Sequence, residues 1–189
     1  FGGVGLDDTW ELVGNAWRSI DSMDHPSARH DFGMVYDADR QRVVLYGGRS
    51  NGANLADTWE LEGSSWEPRY GVEAKPPDVV WSAAAYDPGR ARTVIFGGTD
   101  PESGWHHYDS TWEFDGVQWY ERTPWPRPSN RGHGVMAYDA RRGLVVMFGG
   151  ASPLGVLADT WEYDGTDWVE RADITDPPPH RVRSAMTYD

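Results

Sequence analysis

Three tryptophans, three arginines, a histidine and a tyrosine are the residues through which this 189-residue chain could grip a ligand or do chemistry. Trp81, Trp105 and Trp125 offer indole faces that stack on sugar rings or hold a peptide at little cost in rotamer entropy. Arg29, Arg131 and Arg183 carry planar guanidinium forks that bind carboxylates bidentately. His133 has the one side chain that titrates near neutrality and could move a proton. Tyr108 lies beside Trp105, His106 and His107. The chain has 11 Trp, of which eight fall into a repeating pattern, so these three stand out by being off it.

Other chemistries find no support. With no Cys, thiolate metal sites, disulfides and Cys nucleophiles are excluded. Lys75 is the single lysine, in a Pro-rich segment ill suited to Schiff-base chemistry. His106 and His107 are adjacent, and adjacent side chains on an extended segment point apart, so they do not read as metal ligands. The acidic stretch Asp173 to Asp176 reads as solvated charge rather than a Ca²⁺ loop. No nucleophile elbow, phosphate loop or metalloprotease motif occurs. The expectation is therefore no catalytic residue, no metal and no cofactor. A formal charge of −13 argues against nucleic acid and anionic membrane surfaces as partners. Mean hydropathy is −0.66, and no stretch approaches the roughly 20 apolar residues of a membrane helix.

The elements that must position these residues are copies of one unit. Asp-Thr-Trp recurs at Asp8–Trp10, Asp57–Trp59 and Asp159–Trp161, and as Asp-Ser-Thr-Trp at Asp109–Trp112. A second Trp always follows seven residues after the first, at Trp17, Trp66, Trp119 and Trp168, and a Gly follows four after it, at Gly14, Gly63, Gly116 and Gly165. Tyr-Asp recurs at Tyr36, Tyr86, Tyr138 and Tyr188, and aromatic-Gly-Gly at Phe1, Tyr46, Phe96 and Phe148. Four short antiparallel strands per unit follow. The first, ending in Tyr-Asp, is made of small or flexible residues. The second is a continuous apolar run (Val43–Tyr46, Val145–Phe148) buried on both faces. The third, Thr-Trp-Glu-Leu and its relatives, alternates and has one wet face. The fourth becomes charged after its Trp and suits an edge. Asp-rich turns join the first and second strands, and Asp-Gly the third and fourth. Four antiparallel strands repeating at 45, 50 and 52 residues describe an all-β chain of β-propeller blades.

Length varies in only two places. Five, nine, twelve and nine residues separate the Gly-Gly from the following Thr, and the segment from the second Trp to the next first strand varies by one. In an up-and-down blade both loops lie on one face, so function is expected there. Asp31, Trp81, His133 and Arg183 occupy one position of the unit. A position that exchanges charge, indole and imidazole inside a rigid repeat is free of packing constraint, and is expected to line the mouth of a central channel. Two residues earlier stand Arg29, Val79, Arg131 and Arg181. Their first reading is structural, pairing with acidic or backbone acceptors between blades; their functional reading is a ring of guanidinium groups at the channel mouth.

The expected organisation is a partial blade at 1–20, whole blades at 27–70, 77–123 and 129–172, and the first strand of a further blade at 180–189. This single propeller domain or fragment is expected to continue with the remaining blades of a larger ring.

The residues from Arg29 to Asp37, Val43 to Gly48, Asp57 to Glu60 and Gly63 to Trp66, with their equivalents, resemble the kelch repeat of bacterial, galactose-oxidase-like propellers, over essentially the whole chain. The resemblance implies a propeller of several blades that binds proteins or carbohydrates, a minority of such proteins being enzymes. Galactose oxidase itself is contradicted, since its copper site needs a Cys. The sialidase Asp-box is a near miss, because Asp7, Ala56, Asp109 and Ala158 stand where it wants Gly. The expected function is a non-catalytic module presenting a loop-rich face to a protein or carbohydrate. The alternative is a sugar mutarotase or epimerase with Arg131, His133 and Arg183 around the channel. An extracytoplasmic location is implied by the resemblance alone.

Overall fold

The computed structural model describes residues 1–71 and 74–189, and among them all regular structure is antiparallel β, with no helix. β1 (Thr9–Val13) and β2 (Ala16–Ile20) form an N-terminal hairpin. The first four-stranded sheet takes β3 (Gly33–Asp37) and β4 (Arg42–Tyr46). A two-residue pair, β5 (Arg49–Ser50) and β6 (Ala53–Asn54), follows, and the sheet resumes with β7 (Thr58–Glu62) and β8 (Ser65–Pro68). The second sheet repeats this with β9 (Ala83–Asp87), β10 (Arg92–Phe96), the pair β11 (Thr99–Asp100) and β12 (His106–His107), then β13 (Thr111–Phe114) and β14 (Trp119–Arg122). The third is β15 (Val135–Asp139), β16 (Leu144–Ser152), β17 (Gly155–Tyr163) and β18 (Trp168–Glu170). Here β16 and β17 run nine residues each, because the outlying pair is continuous with the ladder across an irregularity between Phe148 and Gly150. In every four-stranded sheet spatial order follows chain order.

Local chemistry explains the turns. Asp37 Oδ1 accepts the N–H groups of Asp39 (3.1 Å) and Arg40 (3.0 Å), and Asp139 Oδ1 those of Arg141 and Arg142, so the Asp of each Tyr-Asp closes the first hairpin. Asp115 and Asp164 do the same for the Asp-Gly hairpins. The first strands of successive sheets pack side by side, and a Cβ built on Gly33 would already meet Ala84 Cβ at 3.4 Å. That crowding is why this strand uses small residues.

The cores lie between successive sheets. Val44 and Tyr46 of the first meet Ile95, Trp112, Phe114 and Trp119 of the second. Val94 and Phe96 of the second meet Met147, Tyr163 and Trp168 of the third. Three of the four second Trp residues also interlock with the Thr of the preceding unit: Trp66 Nε1 donates to Thr9 Oγ1, Trp119 to Thr58 and Trp168 to Thr111, all at 2.9 Å. An indole of this size buries enough apolar surface to contribute about 4–6 kcal/mol before entropy is subtracted. Its polar tip would be costly to bury alone, so the Thr hydroxyl completes the contact.

A second device joins the sheets at their turns. Arg40 pairs with Asp37 and the buried Glu60, then lies over the Phe114 ring of the next sheet at 5.5 Å. Arg90 repeats this with Asp87 and Glu113 over Tyr163 at 5.3 Å. The invariance of the hairpin glycine follows for Gly116 and Gly165, where an added Cβ would sit 2.5 Å and 2.3 Å from those guanidinium groups.

Two expectations are corrected. Residues 180–189 form no strand, because no described segment lies alongside to supply a ladder. β13 has no wet face: Thr111, Trp112, Glu113 and Phe114 are all buried, since it is covered by sheets on both sides.

Candidate functional site

Asp31, Trp81, His133 and Arg183, the four equivalent positions that exchange residue type, share one backbone conformation. All are left-handed, with φ of 61°, 59°, 59° and 55°. For an L-residue this costs roughly 1–2 kcal/mol, so the surroundings must impose it. The residue before each of the first three is pinned in an isolated bridge: His30 to Arg49, Val80 to Thr99 and Gly132 to Ala151. The Trp81 N–H then donates to Asp31 O (3.0 Å), and the His133 N–H to Trp81 O (2.8 Å). Successive units are thus linked, backbone to backbone, through this one position. Main-chain bonds hold the conformation, so the side chain is released from packing duty.

Those side chains converge on a pocket of about 320 Å³, lined by Asp31, Trp81, Ser82, His133, Arg183 and Ser184 among others. Trp81 stacks with two neighbours: its ring lies 4.1 Å from the His133 ring and 5.9 Å from the nearly parallel Trp105 ring. The Arg183 guanidinium sits 5.9 Å from the same indole. Burial, helped by the Arg183 cation, pushes the His133 imidazole down to about 4, so it is neutral at physiological pH. Asp31 keeps its carboxylate beside His30 Nδ1 at 2.7 Å. Arg183 has no carboxylate partner among the described residues. The pocket therefore combines an aromatic wall, a free cation, an anion and a neutral imidazole.

The loops expected to carry function do meet. Asn54 of the loop between β4 and β7 bonds Glu102 and Asp100 of the loop between β10 and β13. Asn130, in the segment leading to β15, donates to His107 O at 3.3 Å. Trp105 projects from the long loop with its outer face free, 60% exposed. Tyr108 packs its ring against the His106 edge at 4.7 Å, while its backbone ties the loop to Gly98 and Arg131. The structure brings Trp81, Trp105, His133 and Arg183 together. Neither Trp105 nor Trp125 lines the pocket itself: Trp105 joins it through its stack on Trp81, whereas Trp125, 79% exposed, has its ring facing Arg127.

Arg29 and Arg131 are corrected. Each guanidinium is 1% exposed and already saturated, so neither faces a ligand. Arg131 clamps Asp159 bidentately at 2.6 and 2.7 Å and also bonds Gly149 O and the Ser129 carbonyl and hydroxyl. Arg29 makes the same set with Asp57, Gly47 O and Ser27. These pairs lie inside one unit rather than between units, and the same carboxylate accepts the first Trp's indole N–H at 2.7 Å. Burial alone would raise the Asp57 and Asp159 carboxyls; the arginine and indole hydrogen bonds more than offset it and hold both below the usual range. The signal for this triad was in the sequence. The one full unit with Val79 in place of Arg also has Ser110 two residues before its Trp, and there both Ser110 Oγ and Trp112 Nε1 lack a partner among the described residues.

What sequence reasoning passed over are Ser82 and Ser184, which line the pocket beside Trp81 and Arg183. Being next to the exchanging position was the available sign. His106 and His107 form β12, with His107 Nδ1 2.8 Å from Thr99 Oγ1. No three His, Asp or Glu side chains among the described residues group as metal ligands. His133 makes no side-chain hydrogen bond among the described residues, and its ring is held by its stack on Trp81. Compared with known proteins, the chain matches no protein-family model and no curated sequence.

Proposed function

We propose that the chain is part of a kelch-type β-propeller whose four-stranded sheets are blades, and that it is a non-catalytic module binding carbohydrate. Support for the blades comes from three sheets of identical strand order, stacked face to face through the same Trp–Thr and Arg–aromatic contacts. Support for the function comes from one observation. The position that changes residue type in every unit delivers all four of its residues to a single pocket, and one of them, Trp81, stacks with the exposed Trp105. In this reading a sugar ring stacks on the outer face of Trp105, while Arg183 and Asp31 read its polar groups. A volume of about 320 Å³ is the size of one or two sugar residues.

A glycan array probed with the chain, followed by titration of the best glycan, tests this. Trp105→Ala and Arg183→Ala should each weaken binding by about 30-fold, as expected of aromatic and arginine anchors, with Trp125→Ala unchanged. Equal loss in all three, or loss only in Trp125→Ala, refutes the site. Turnover of the bound sugar, abolished by His133→Ala, would replace the module with the epimerase or mutarotase reading.

A further inference from the structure

Trp105 stands on a loop that lacks the buried arginine clamp. In the first and third sheets Arg29 and Arg131 tie the segment before the first strand to Asp57 and Asp159, where the loop between the second and third strands ends. In the second sheet Val79 and Ser110 stand in those places, and the Ser110 hydroxyl has no partner among the described residues. A partly exposed pair, Arg127 on Asp109 at 2.8 Å, ties the base of the loop instead. The turn of the loop lies beyond that tie. It holds Gly104 and Trp105, both left-handed, with φ of 79° and 67°. Two rungs between β11 and β12 close it, and a ladder so short is marginal by itself.

The neighbouring sheet supplies the missing hold. Asn54, at the end of β6, reaches this turn twice: its Nδ2 donates to Asp100 Oδ1 at 2.8 Å and its backbone N–H to Glu102 Oε1 at 3.0 Å. Asp100 Oδ1 also accepts the Glu102 N–H at 2.9 Å, so a single oxygen joins the two loops. Arg49 Nη1, donating to Asn54 Oδ1 at 3.4 Å, turns the amide so that its NH₂ faces Asp100. The contact is particular to this residue. By their ladder partners, the equivalents of Asn54 are His107 and Val156. His107 Nδ1 turns to Thr99 of its own unit at 2.8 Å, and the Val156 side chain has no polar atom. The fold therefore does not require an amide at this position.

We propose that Asn54 is a positioning residue for the carbohydrate site, holding the turn so that Trp105 stays stacked on Trp81. The role rests on the reading of Trp105 as a sugar platform. Asn54 is not among the residues lining the pocket, so it acts through the turn and not on the sugar. A platform ordered in advance spares the ligand the entropy of ordering it.

Indole ¹H–¹⁵N spectra of the whole chain without ligand, and titration with the top-ranked glycan of the array, test the proposal. In Asn54→Ala the Trp81 and Trp105 resonances should shift while the urea midpoint stays near wild type, as for most surface changes. Glycan affinity should fall about 5-fold, the loss expected when one side chain must be ordered on binding. Asn54→Asp sets a carboxylate against Asp100 and Glu102, and should weaken binding more than Asn54→Ala. In a Trp105→Ala chain, adding Asn54→Ala should weaken binding no further. An equal loss in both backgrounds overturns the role, because Asn54 would then act independently of Trp105. So do unmoved Trp81 and Trp105 resonances, or a urea midpoint that falls as far as in Arg131→Val. Wild-type affinity in Asn54→Ala, with Trp105→Ala impaired, overturns this role alone. Wild-type affinity in Trp105→Ala overturns the carbohydrate reading and this role with it.

Discussion

Replacing Arg131 by Val should cost far more alone than in company with Asp159→Ser. Arg131 makes five hydrogen bonds, two of them to Asp159, while only 1% exposed. The single change strands a largely buried carboxylate together with the Gly149 carbonyl, and breaking a buried pair from one side costs about 3–5 kcal/mol. For a chain of this length that lowers the melting midpoint by roughly 6–20 °C. The double change reproduces what the second sheet does with Val79 and Ser110, where two uncharged groups go unpaired instead of one charge. Its cost should be about 1–3 kcal/mol, well short of the sum of the two single changes. Urea unfolding followed by tryptophan fluorescence gives all four corners of the cycle. A single variant within about 1 kcal/mol of wild type, or a double equal to the sum of the singles, would refute the reasoning that the buried charge sets the penalty.

Other consequences follow from the same contacts. Gly165→Ala should destabilise by about 2 kcal/mol or more, because its Cβ would displace Arg90 from Glu113; Gly63→Ala, with nothing within 4 Å, should show only the left-handed backbone cost of about 1 kcal/mol in the same urea assay. Thr58→Val strands the Trp119 indole N–H and should cost about 1–3 kcal/mol, measured as a shift in thermal midpoint. Acid should unfold the chain in two stages. A base held down in the fold loses stability as pH falls from its unfolded value, so His133 contributes a decline between about 6.5 and about 4, to which His107, lowered by burial, adds. Burial alone would raise the carboxyls of Asp57, Asp159 and Glu113, yet their arginine partners hold them below the usual range. Their stabilisation is whole above about 4 and is lost as pH falls further. Urea midpoints taken across pH should show a shallower first stage in His133→Gln and an unchanged second stage.

The unit, its four strands and their order were legible because each strand's pattern matches its burial: Val43–Tyr46 runs apolar where β4 is covered on both faces, and the charged residues after Trp168 lie on an edge. The pocket was half legible. That Trp81, His133 and Arg183 share a unit position is arithmetic on the sequence. That the position is left-handed, and that Trp105 reaches back to stack on Trp81, depends on main-chain bonds between units that no residue pattern encodes. Arg131 misled in part because a buried arginine and a ligand-binding arginine look alike until the acceptor is found. Its acceptor, Asp159, lies 28 residues away. Being off the pattern marked Trp125 as free of packing, and it is exposed, but the pattern does not say where it points. The Tyr-Asp at the C-terminus misled differently: the strand pattern is present in residues 184–189, but a strand exists only with a neighbour.

The account rests on the pocket formed by Asp31, Trp81, His133 and Arg183, with Trp105 stacked on Trp81. The direct test is a ¹H–¹⁵N spectrum of the indole N–H groups during titration with the glycan that the chain binds best. The resonances of Trp81 and Trp105 should move together and saturate, while those of the interlocked Trp66, Trp119 and Trp168 stay in place. Movement confined to Trp125, or to the interlocked indoles, would contradict it.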